Sequence, residues 1–363
     1  MAFISLRTSS FRNLCDTEFD IHGKDVFLIG QNGQGKTNFL EALYYASYAS
    51  SFRGVRDNEL VCIGKKDCLV KVRLEGQLNN ELTVFYKDGK KSITLDSKRI
   101  EDRKELLKIA PCIVFCHEDM EFVAGTPERK RWFFDQTLSL WDLLYLDDLR
   151  NYRRVLKIRN NILKKNAPRI TPESMTLLDV LDPQLIQYGY EIIKKRQTET
   201  LNFSRIFEPL YYEISGLDNV AIRYIPSWKE NNIESLATEL IKHREQDIYS
   251  GLSLSGPHRD RYIVTRKGQE FSDKASTGQR RLVALLLRIA QARIFSEKTG
   301  NYPVLLLDDV LLEMDGEKRQ KFLSLMPVYN QAFFTFLPEE PYERYRKNDT
   351  IVYYVSEGTL KRE

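Results

Sequence analysis

Eight consecutive residues near the start of the chain match the phosphate-binding pattern G-x-x-x-x-G-K-[ST] in full. They are Gly30, Gln31, Asn32, Gly33, Gln34, Gly35, Lys36 and Thr37. Glycines let backbone N–H groups converge on phosphate oxygens, because no Cβ stands in the way. Lys36 would place its ammonium on the β- and γ-phosphates, and the Thr37 hydroxyl would bind Mg²⁺. The segment therefore predicts a site for ATP and Mg²⁺.

The residues on either side of this loop have the periodicity of a strand and a helix. Residues 25–29 form a short apolar run that ends at Gly30, and residues 37–49 carry apolar side chains at helical spacing. The N-terminus of such a helix adds a partial positive charge beside the phosphates. The alternative is a glycine turn before an ordinary core helix. We interpret residues 30–37 as a P-loop, the Walker A motif.

A second segment, far along the chain, places two carboxylates at the end of an apolar run. Leu305, Leu306 and Leu307 are followed directly by Asp308 and Asp309. A buried strand that ends in acid is costly unless the charge meets a metal or a hydrogen-bond donor. We predict that Asp308 is the Walker B aspartate, which holds Mg²⁺ together with Thr37. The alternative is a strand-end acid that caps the next turn.

Asp309 stands where ABC-type ATPases usually carry the glutamate that orients or deprotonates the attacking water. We predict that Asp309 is catalytic, together with Lys36 and Asp308. An aspartate reaches about one methylene less far than a glutamate, so slow hydrolysis is expected.

A third segment, Ser276, Thr277, Gly278 and Gln279, precedes an amphipathic helix predicted over residues 280–295. Ser276 would cap that helix, which is the simpler interpretation. The segment also resembles the ABC signature, whose serine and glycine amides contact the γ-phosphate of ATP held by the opposite protomer. It lies about 30 residues before the acidic strand, which is the usual ABC order. The sequence therefore predicts a homodimer held together by nucleotide.

Further segments extend this likeness over nearly the whole chain, which resembles the RecF family of bacterial recombination-mediator ATPases, relatives of SMC proteins. The matching segments lie at residues 10–13, 51–54, 117–120, 127–135, 256–260 and 313–315. Some positions depart from the family pattern. Ala275 and Thr277 are unusual in the signature, and Leu312 replaces an expected serine. Thr335 occupies the place where transporter ATPases carry a switch histidine.

The resemblance implies an α/β fold, a P-loop ABC/SMC-like ATPase head with mixed sheets around the Walker A helix, interrupted by a helical arm. It implies a protein of recombinational repair and replication that dimerises on ATP and binds DNA, both double-stranded and at single-strand/double-strand junctions. With RecR-type and RecO-type partners it would help to load recombinase. Arg12 and Asn13 would lie beside the phosphates, Arg53 would sense them, and Asp315 would belong to the D-loop. The rival interpretations are the ATP-binding subunit of an ABC transporter and another SMC-like ATPase.

The pattern of elements suggests three segments. Residues 1–125 read mostly as strands around the P-loop helix and form the N-terminal part of the head. Residues 126–217 are mainly helical, with breaks at 166–168 and 215–216, and form the arm. Residues 218–363 return to strands and carry the signature and Walker B segments.

The net charge of +4 is too small to identify a nucleic-acid binder by itself. One predicted helix, at residues 145–165, is more informative, because its apolar and basic residues lie on separate faces. The candidate DNA contacts on its basic face are Arg150, Arg153, Arg154 and Lys157. A solvated helix face is the alternative.

Five cysteines, an odd number, favour a reduced, cytoplasmic chain. No apolar run approaches the roughly 18 residues of a membrane span. The sequence therefore predicts no association with a membrane.

Overall fold

The computed structural model describes residues 2–76, 80–229, 232–311, 314 and 316–363. It contains two compact units, one built from Met1–Asp119 with Arg288–Glu363 and the other from Met120–Leu287. We call these the first and second units. The predicted segments 1–125, 126–217 and 218–363 have other bounds, and that division stays a prediction.

The structure contains both strands and helices. The strands are β1 (Phe3–Ser9), β2 (Glu18–Asp20), β3 (Asp25–Ile29), β4 (Asp67–Leu74), β5 (Asn80–Lys87), β6 (Lys90–Leu95), β7 (Lys98–Arg99), β8 (Cys112–Phe115), β9 (Val220–Ile225), β10 (Arg261–Arg266), β11 (Gln269–Glu270), β12 (Val304–Leu307), β13 (Gln331–Phe336), β14 (Ile351–Ser356) and β15 (Thr359–Arg362). The α-helices are α1 (Lys36–Tyr48), α2 (Glu121–Ala124), α3 (Pro127–Ser139), α4 (Leu143–Asn166), α5 (Pro172–Ser215), α6 (Ile233–Ser250), α7 (Thr277–Thr299) and α8 (Gly316–Ser324). Short 3₁₀ turns lie at Asp57–Glu59, Arg103–Lys108, His117–Met120, Pro257–Arg259 and Tyr342–Tyr345.

The first unit contains two six-stranded sheets. One has the order β2-β1-β4-β5-β6-β7 and is antiparallel. The other has the order β15-β14-β3-β13-β12-β8 and is parallel except for the β14–β15 pair. We call the second one the parallel sheet. Its strands β3, β8 and β12 are buried at every position, as expected for parallel strands that are covered on both faces.

Helix α1 packs into the apolar core of the first unit. Phe39 and Leu43 of α1 share one buried cluster with Val26 and Leu28 of β3 and with inward residues of the antiparallel sheet. Strand β4 alternates buried and partly exposed residues, which shows that one face of the antiparallel sheet lines this core. The strand, loop and helix that hold the P-loop are therefore anchored by burial.

The second unit contains three long helices and a small antiparallel sheet of order β11-β10-β9. Helix α4 ends at Asn166, and α5 runs from Pro172 to Ser215, so the predicted breaks are confirmed. Thr171 accepts a hydrogen bond from the Ser174 amide at the start of α5, and Gly216 ends the helix with φ 68°. Helix α6 was not predicted.

Two segments of the RecF-like pattern meet at one buried cation in this unit. Arg196 of α5 donates to Asp135 Oδ1 and to Asp260 Oδ2, both at 2.7 Å. Asp260 also accepts hydrogen bonds from the Tyr224 hydroxyl and the Ser227 amide. Because a buried charge is tolerated when it is paired and hydrogen-bonded, Asp135 and Asp260 hold the helices and the small sheet together.

His258 belongs to this framework and is neutral at pH 7. Its Nε2 donates to the Ser253 carbonyl at 3.0 Å, so the Tyr152 hydroxyl donates to Nδ1 at 2.7 Å. Burial lowers the pKa of His258 to about 4. The ring therefore links the 3₁₀ turn at Pro257–Arg259 to helix α4.

Acid should weaken this link. The unfolded chain takes up the His258 proton near pH 6.5 and the folded chain only near pH 4, so stability falls as pH falls through that window. Between pH 6.5 and pH 4, we expect the free energy of unfolding of the wild-type protein to fall by up to about 3 kcal/mol more than that of His258→Gln. Urea unfolding at several pH values measures this difference.

His243→Gln is the matched control, since His243 is partly exposed and forms hydrogen bonds with Glu239 and Gln246 on its own helix. If the stability of His258→Gln fell with pH as steeply as that of the wild type, the assignment of His258 as a buried, neutral residue would be wrong.

Candidate nucleotide-binding site

The P-loop connects β3 to α1 in the first unit. Gly33 and Gly35 have φ values of 81° and 115°, a backbone conformation that other residues adopt only with strain. The Lys36 ammonium donates to the carbonyls of Gly30 at 2.6 Å and Gln31 at 3.2 Å. The loop thus curls around its own lysine, which is positioned to move onto phosphate oxygens.

A cavity of about 320 Å³ opens beside this loop. Its lining residues are Asn32, Gly33, Gly35, Lys36, Thr37, Asn38, Arg53 and Asp309. The lining thus contains two cations, the start of a helix and one carboxylate. Such a set suits a polyphosphate that carries a metal ion.

Thr37 and Asp308, which lie 271 residues apart in sequence, meet at the edge of the P-loop. The Thr37 hydroxyl donates to Asp308 Oδ1 at 2.9 Å. Burial, reinforced by the charge of Asp309, raises the pKa of Asp308 to about 7. Burial disfavours the ionised form of this carboxylate, and a divalent cation bound beside it would stabilise that form. Hydroxyl and carboxylate oxygens are ligands that Mg²⁺ prefers. The residues present therefore fit Mg²⁺.

Asp309 is held by Thr335 at the neighbouring strand end. The Asp309 amide donates to Thr335 Oγ1 at 2.8 Å, and that hydroxyl lies 3.0 Å from Asp309 Oδ1. Thr335 also lies 3.4 Å from Asp308 Oδ1, so one hydroxyl organises both carboxylates. Asp309 adopts φ 49°, a conformation that aspartate tolerates better than most residues. Thr335 thus orients Asp309, the predicted catalytic residue. It does so from the sequence position at which transporter ATPases carry the switch histidine.

Arg12 and Asn13 lie behind the loop and make contacts within the protein. Arg12 Nε and Nη2 donate to the carboxylate of Glu41 at 2.9 and 3.1 Å, and Glu41 is fully buried. The Asn13 side chain donates to the Gly33 carbonyl at 3.3 Å and accepts from Asn38 at 2.7 Å. Their predicted place beside bound phosphates stays a prediction. Asn13 contacts two residues that line the cavity, whereas Arg12 holds Glu41.

Arg53 lines the cavity itself. Its Nη1 donates to Asn38 Oδ1 at 3.1 Å and lies 3.7 Å from Glu41. The buried Glu41 therefore organises the two arginines on this side of the site. Glu41 and Asn38 are not predicted from the sequence, although the position of Asn38, directly after Thr37, is a usable signal.

The signature segment lies in the second unit, at the start of α7. Ser276 and Gln279 form a reciprocal cap. The Ser276 amide donates to Gln279 Oε1 at 2.8 Å, and the Gln279 amide donates to Ser276 Oγ at 3.3 Å. Ser276, Thr277 and Gly278 are exposed. The simpler prediction, a helix cap, is confirmed, while the contact with a second protomer stays a prediction.

Two other predictions concern the D-loop residue and the candidate DNA contacts. Asp315, assigned to the D-loop, lies outside the described residues. The four candidate DNA contacts are exposed on α4: Arg150, Arg153, Arg154 and Lys157. Arg153 also forms an ion pair with Asp135 at 3.2 Å. Their proposed contact with DNA remains untested.

The family assignment follows from comparison with known proteins. The family described as "RecF/RecN/SMC N terminal domain" matches residues 3–359. The DNA replication and repair protein RecF of Treponema pallidum is 44% identical over 351 residues, which cover 96% of this chain and 98% of that protein. The chain belongs to the RecF family. A RecF of Clostridium kluyveri is 33% identical, with 98% of both chains covered.

Solved structures agree with the RecF assignment. A structure described as the recombination mediator protein RecF with ATP, in the RecFOR pathway, superposes with a TM-score of 0.90 at 29% identity and covers 99% of this chain and 97% of its own. An SMC head bound to a winged-helix domain of ScpA has a TM-score of 0.55 at 16% identity, covering 99% of this chain and 96% of its own. The ABC/SMC-like α/β head is therefore confirmed.

The RecF assignment favours a DNA replication and repair protein over the ATP-binding subunit of a transporter. Among the described helices, none combines the length and the apolar character needed to cross a membrane.

Proposed function

We propose that this protein is an ATP-dependent DNA-binding switch of recombinational repair and replication. The observation that carries the proposal is the junction of Thr37 with Asp308 at 2.9 Å beside the P-loop cavity. That junction brings Walker A and Walker B chemistry to one place. Known relatives named as DNA replication and repair proteins, and a neighbour described with ATP, support the assignment.

ATP would bind with its phosphates on the amides of the P-loop and the N-terminus of α1. Lys36 would exchange the carbonyls of Gly30 and Gln31 for phosphate oxygens. Mg²⁺, held by Thr37 and Asp308, would neutralise phosphate charge when bound. Asp309, oriented by Thr335, would accept a hydrogen bond from the attacking water.

The switch would be a homodimer. In each protomer, the exposed start of α7 would face the γ-phosphate on the partner's P-loop, with Ser276, Thr277, Gly278 and Gln279 closing the pocket. A shift of a dimer equilibrium from 1:99 to 99:1 requires about 5.5 kcal/mol. Charge-assisted hydrogen bonds contribute about 1.5–3 kcal/mol each, so a few of them across two pockets suffice. Slow hydrolysis would remove this bridge and reset the dimer.

DNA would be the ligand that this switch controls. We propose that the basic face of α4 contacts the DNA backbone, and that RecR-type and RecO-type mediators act with the complex in the cytoplasm. The preferred DNA would contain single-strand/double-strand junctions.

A binding experiment tests the proposal as a whole. Fluorescence anisotropy is measured with gapped duplex and with blunt duplex of equal length, each with ATP and without nucleotide. We expect the tightest binding to gapped duplex with ATP, and a hydrolysis rate that rises when that DNA is added. Equal binding with and without ATP would refute the switch.

A further inference from the structure

The C-terminal hairpin formed by β14 and β15 reaches the P-loop. Strand β14 pairs with β3 in parallel, with Ile351 opposite Val26 and Tyr354 opposite Ile29. Beyond Ile29 the chain becomes the P-loop, and beyond Tyr354 it becomes the tip of the hairpin. The two segments therefore continue side by side past the end of the sheet.

The hairpin tip holds Gln34 by two hydrogen bonds. The Gly358 amide donates to the Gln34 carbonyl at 2.9 Å. The Glu357 amide donates to the Gln34 side-chain oxygen at 2.8 Å. On the other side of the tip, the Cys15 amide donates to the Gly358 carbonyl at 3.0 Å. The tip is thus fixed between the P-loop and the turn that follows β1.

Two glycines permit this close approach. A Cβ on Gly30 would overlap the Val355 carbonyl oxygen, and a Cβ on Gly358 would overlap the Asn13 carbonyl oxygen. Gly358 also has φ 75°, and Glu357 before it has φ 47°. A larger residue at position 358 would force the hairpin tip and the Asn13 backbone apart, which would displace the Gly358 amide from its position beside the Gln34 carbonyl.

The bond to Gln34 determines where a neighbouring amide points. In a planar trans peptide the C=O and the following N–H point in opposite directions. Because the Gln34 carbonyl is bound by the hairpin, the Gly35 N–H must point away from it. Gly35 lines the cavity beside the P-loop, whereas Gln34 is absent from that lining among the described residues.

We infer that the β14–β15 hairpin is a positioning element for the P-loop, and that Glu357 and Gly358 aim the Gly35 amide at the nucleotide phosphates. This inference rests on the proposed ATP binding. The hairpin acts through the loop and does not touch the nucleotide. The hairpin would strengthen the binding of ATP equally in the ground state and in the transition state. Loss of the hairpin contact should therefore raise KM and leave kcat nearly unchanged.

Gly358→Ala tests the inference, and the chain supplies a matched control. The turn between β5 and β6 has the same backbone conformation, with Asp88 at φ 47° and Gly89 at φ 78°, but a Cβ on Gly89 would have no atom within 4 Å. Gly89→Ala therefore introduces the same local strain without touching the P-loop. Gln34→Ala is a milder second variant, because it removes only the acceptor of the Glu357 amide.

We expect ATP binding, measured by calorimetry, to weaken about 10-fold in Gly358→Ala and roughly threefold in Gln34→Ala, the effects of losing one charged and one neutral hydrogen bond. Gly89→Ala should bind ATP like the wild type, even if its melting temperature falls. The positioning role is refuted if Gly358→Ala folds and binds ATP as tightly as Gly89→Ala. If Gly358→Ala does not fold, the role is refuted when Gln34→Ala binds ATP as tightly as the wild type. If the wild-type protein itself does not bind ATP, the proposed function fails, and this inference fails with it.

Discussion

Lys36→Met should lose ATP-induced dimerisation completely. The Lys36 side chain is buried and its ammonium already lies within the P-loop, at 2.6 Å from the Gly30 carbonyl. Methionine keeps the length of the side chain but removes the charge that would pair with the β- and γ-phosphates. Loss of two charge-assisted hydrogen bonds, at about 1.5–3 kcal/mol each, should weaken ATP binding at least about 100-fold. Calorimetry measures the binding, and sedimentation velocity with ATP measures the dimer.

Lys91→Met is the control for lost stability. Lys91 is also largely buried in the first unit, and its ammonium donates to the Ala49 carbonyl and pairs with Asp57 at 2.6 Å. It lies outside the cavity lining, so Lys91→Met should destabilise the protein without loss of ATP affinity. An ATP-independent dimer in Lys36→Met would refute the switch.

Mixing two inactive variants tests whether the pocket is shared between protomers. A heterodimer of Lys36→Met with Ser276→Arg keeps one intact pocket, formed by Lys36 of one subunit and Ser276 of the other. The mixture should therefore regain ATPase activity that neither variant has alone. A mixture as inactive as its components would show that each subunit closes its own site.

The parts of the site that are contiguous in sequence could be predicted well. The strand before the P-loop, the loop and the start of α1 form one local unit, whose geometry is set by glycine conformations and by buried apolar side chains. Strand β3 spans Asp25–Ile29, which are the bounds of the run that the sequence predicts as a strand. Four of its five residues are apolar, which is typical of a buried parallel strand.

The supporting residues could not be predicted, because their partners are distant in sequence. Glu41 looks like any helix residue until Arg12 and Arg53 meet at its carboxylate. The hairpin contact to Gln34 joins residues more than 320 positions apart. No local periodicity carries that information, since it depends on β14 lying next to β3.

The signature illustrates a different limit. Ser276 and Gln279 have a sufficient structural reason for their identity, because they cap α7 reciprocally. The same residues at a helix N-terminus also suit the recognition of a phosphate. Only the order of motifs along the chain favours the contact with a partner's phosphate over a simple helix cap. That argument rests on the resemblance to a family in which the same order occurs.

Asp309→Asn should bind ATP and form the dimer, yet fail to turn over. Asparagine has the same size, tolerates the φ of 49°, and keeps an oxygen for the Thr335 hydroxyl at 3.0 Å. It cannot accept a proton from water, and loss of a general base costs about 10²- to 10⁴-fold in rate. Phosphate release should therefore almost stop, while sedimentation shows a dimer that persists for as long as ATP is present.

Asp96→Asn is the matched control for this substitution. Asp96 also has φ 49°, and its carboxylate accepts a hydrogen bond from the Glu81 amide at 2.8 Å, outside the nucleotide cavity. Asp96→Asn should therefore hydrolyse ATP like the wild type. If Asp309→Asn hydrolysed ATP at the same rate as Asp96→Asn, Asp309 would not be the base, and the water would have to be activated by another carboxylate. If Asp309→Asn instead failed to bind ATP, its charge would be needed to hold the nucleotide and its metal, which would give Asp309 the role we assign to Asp308.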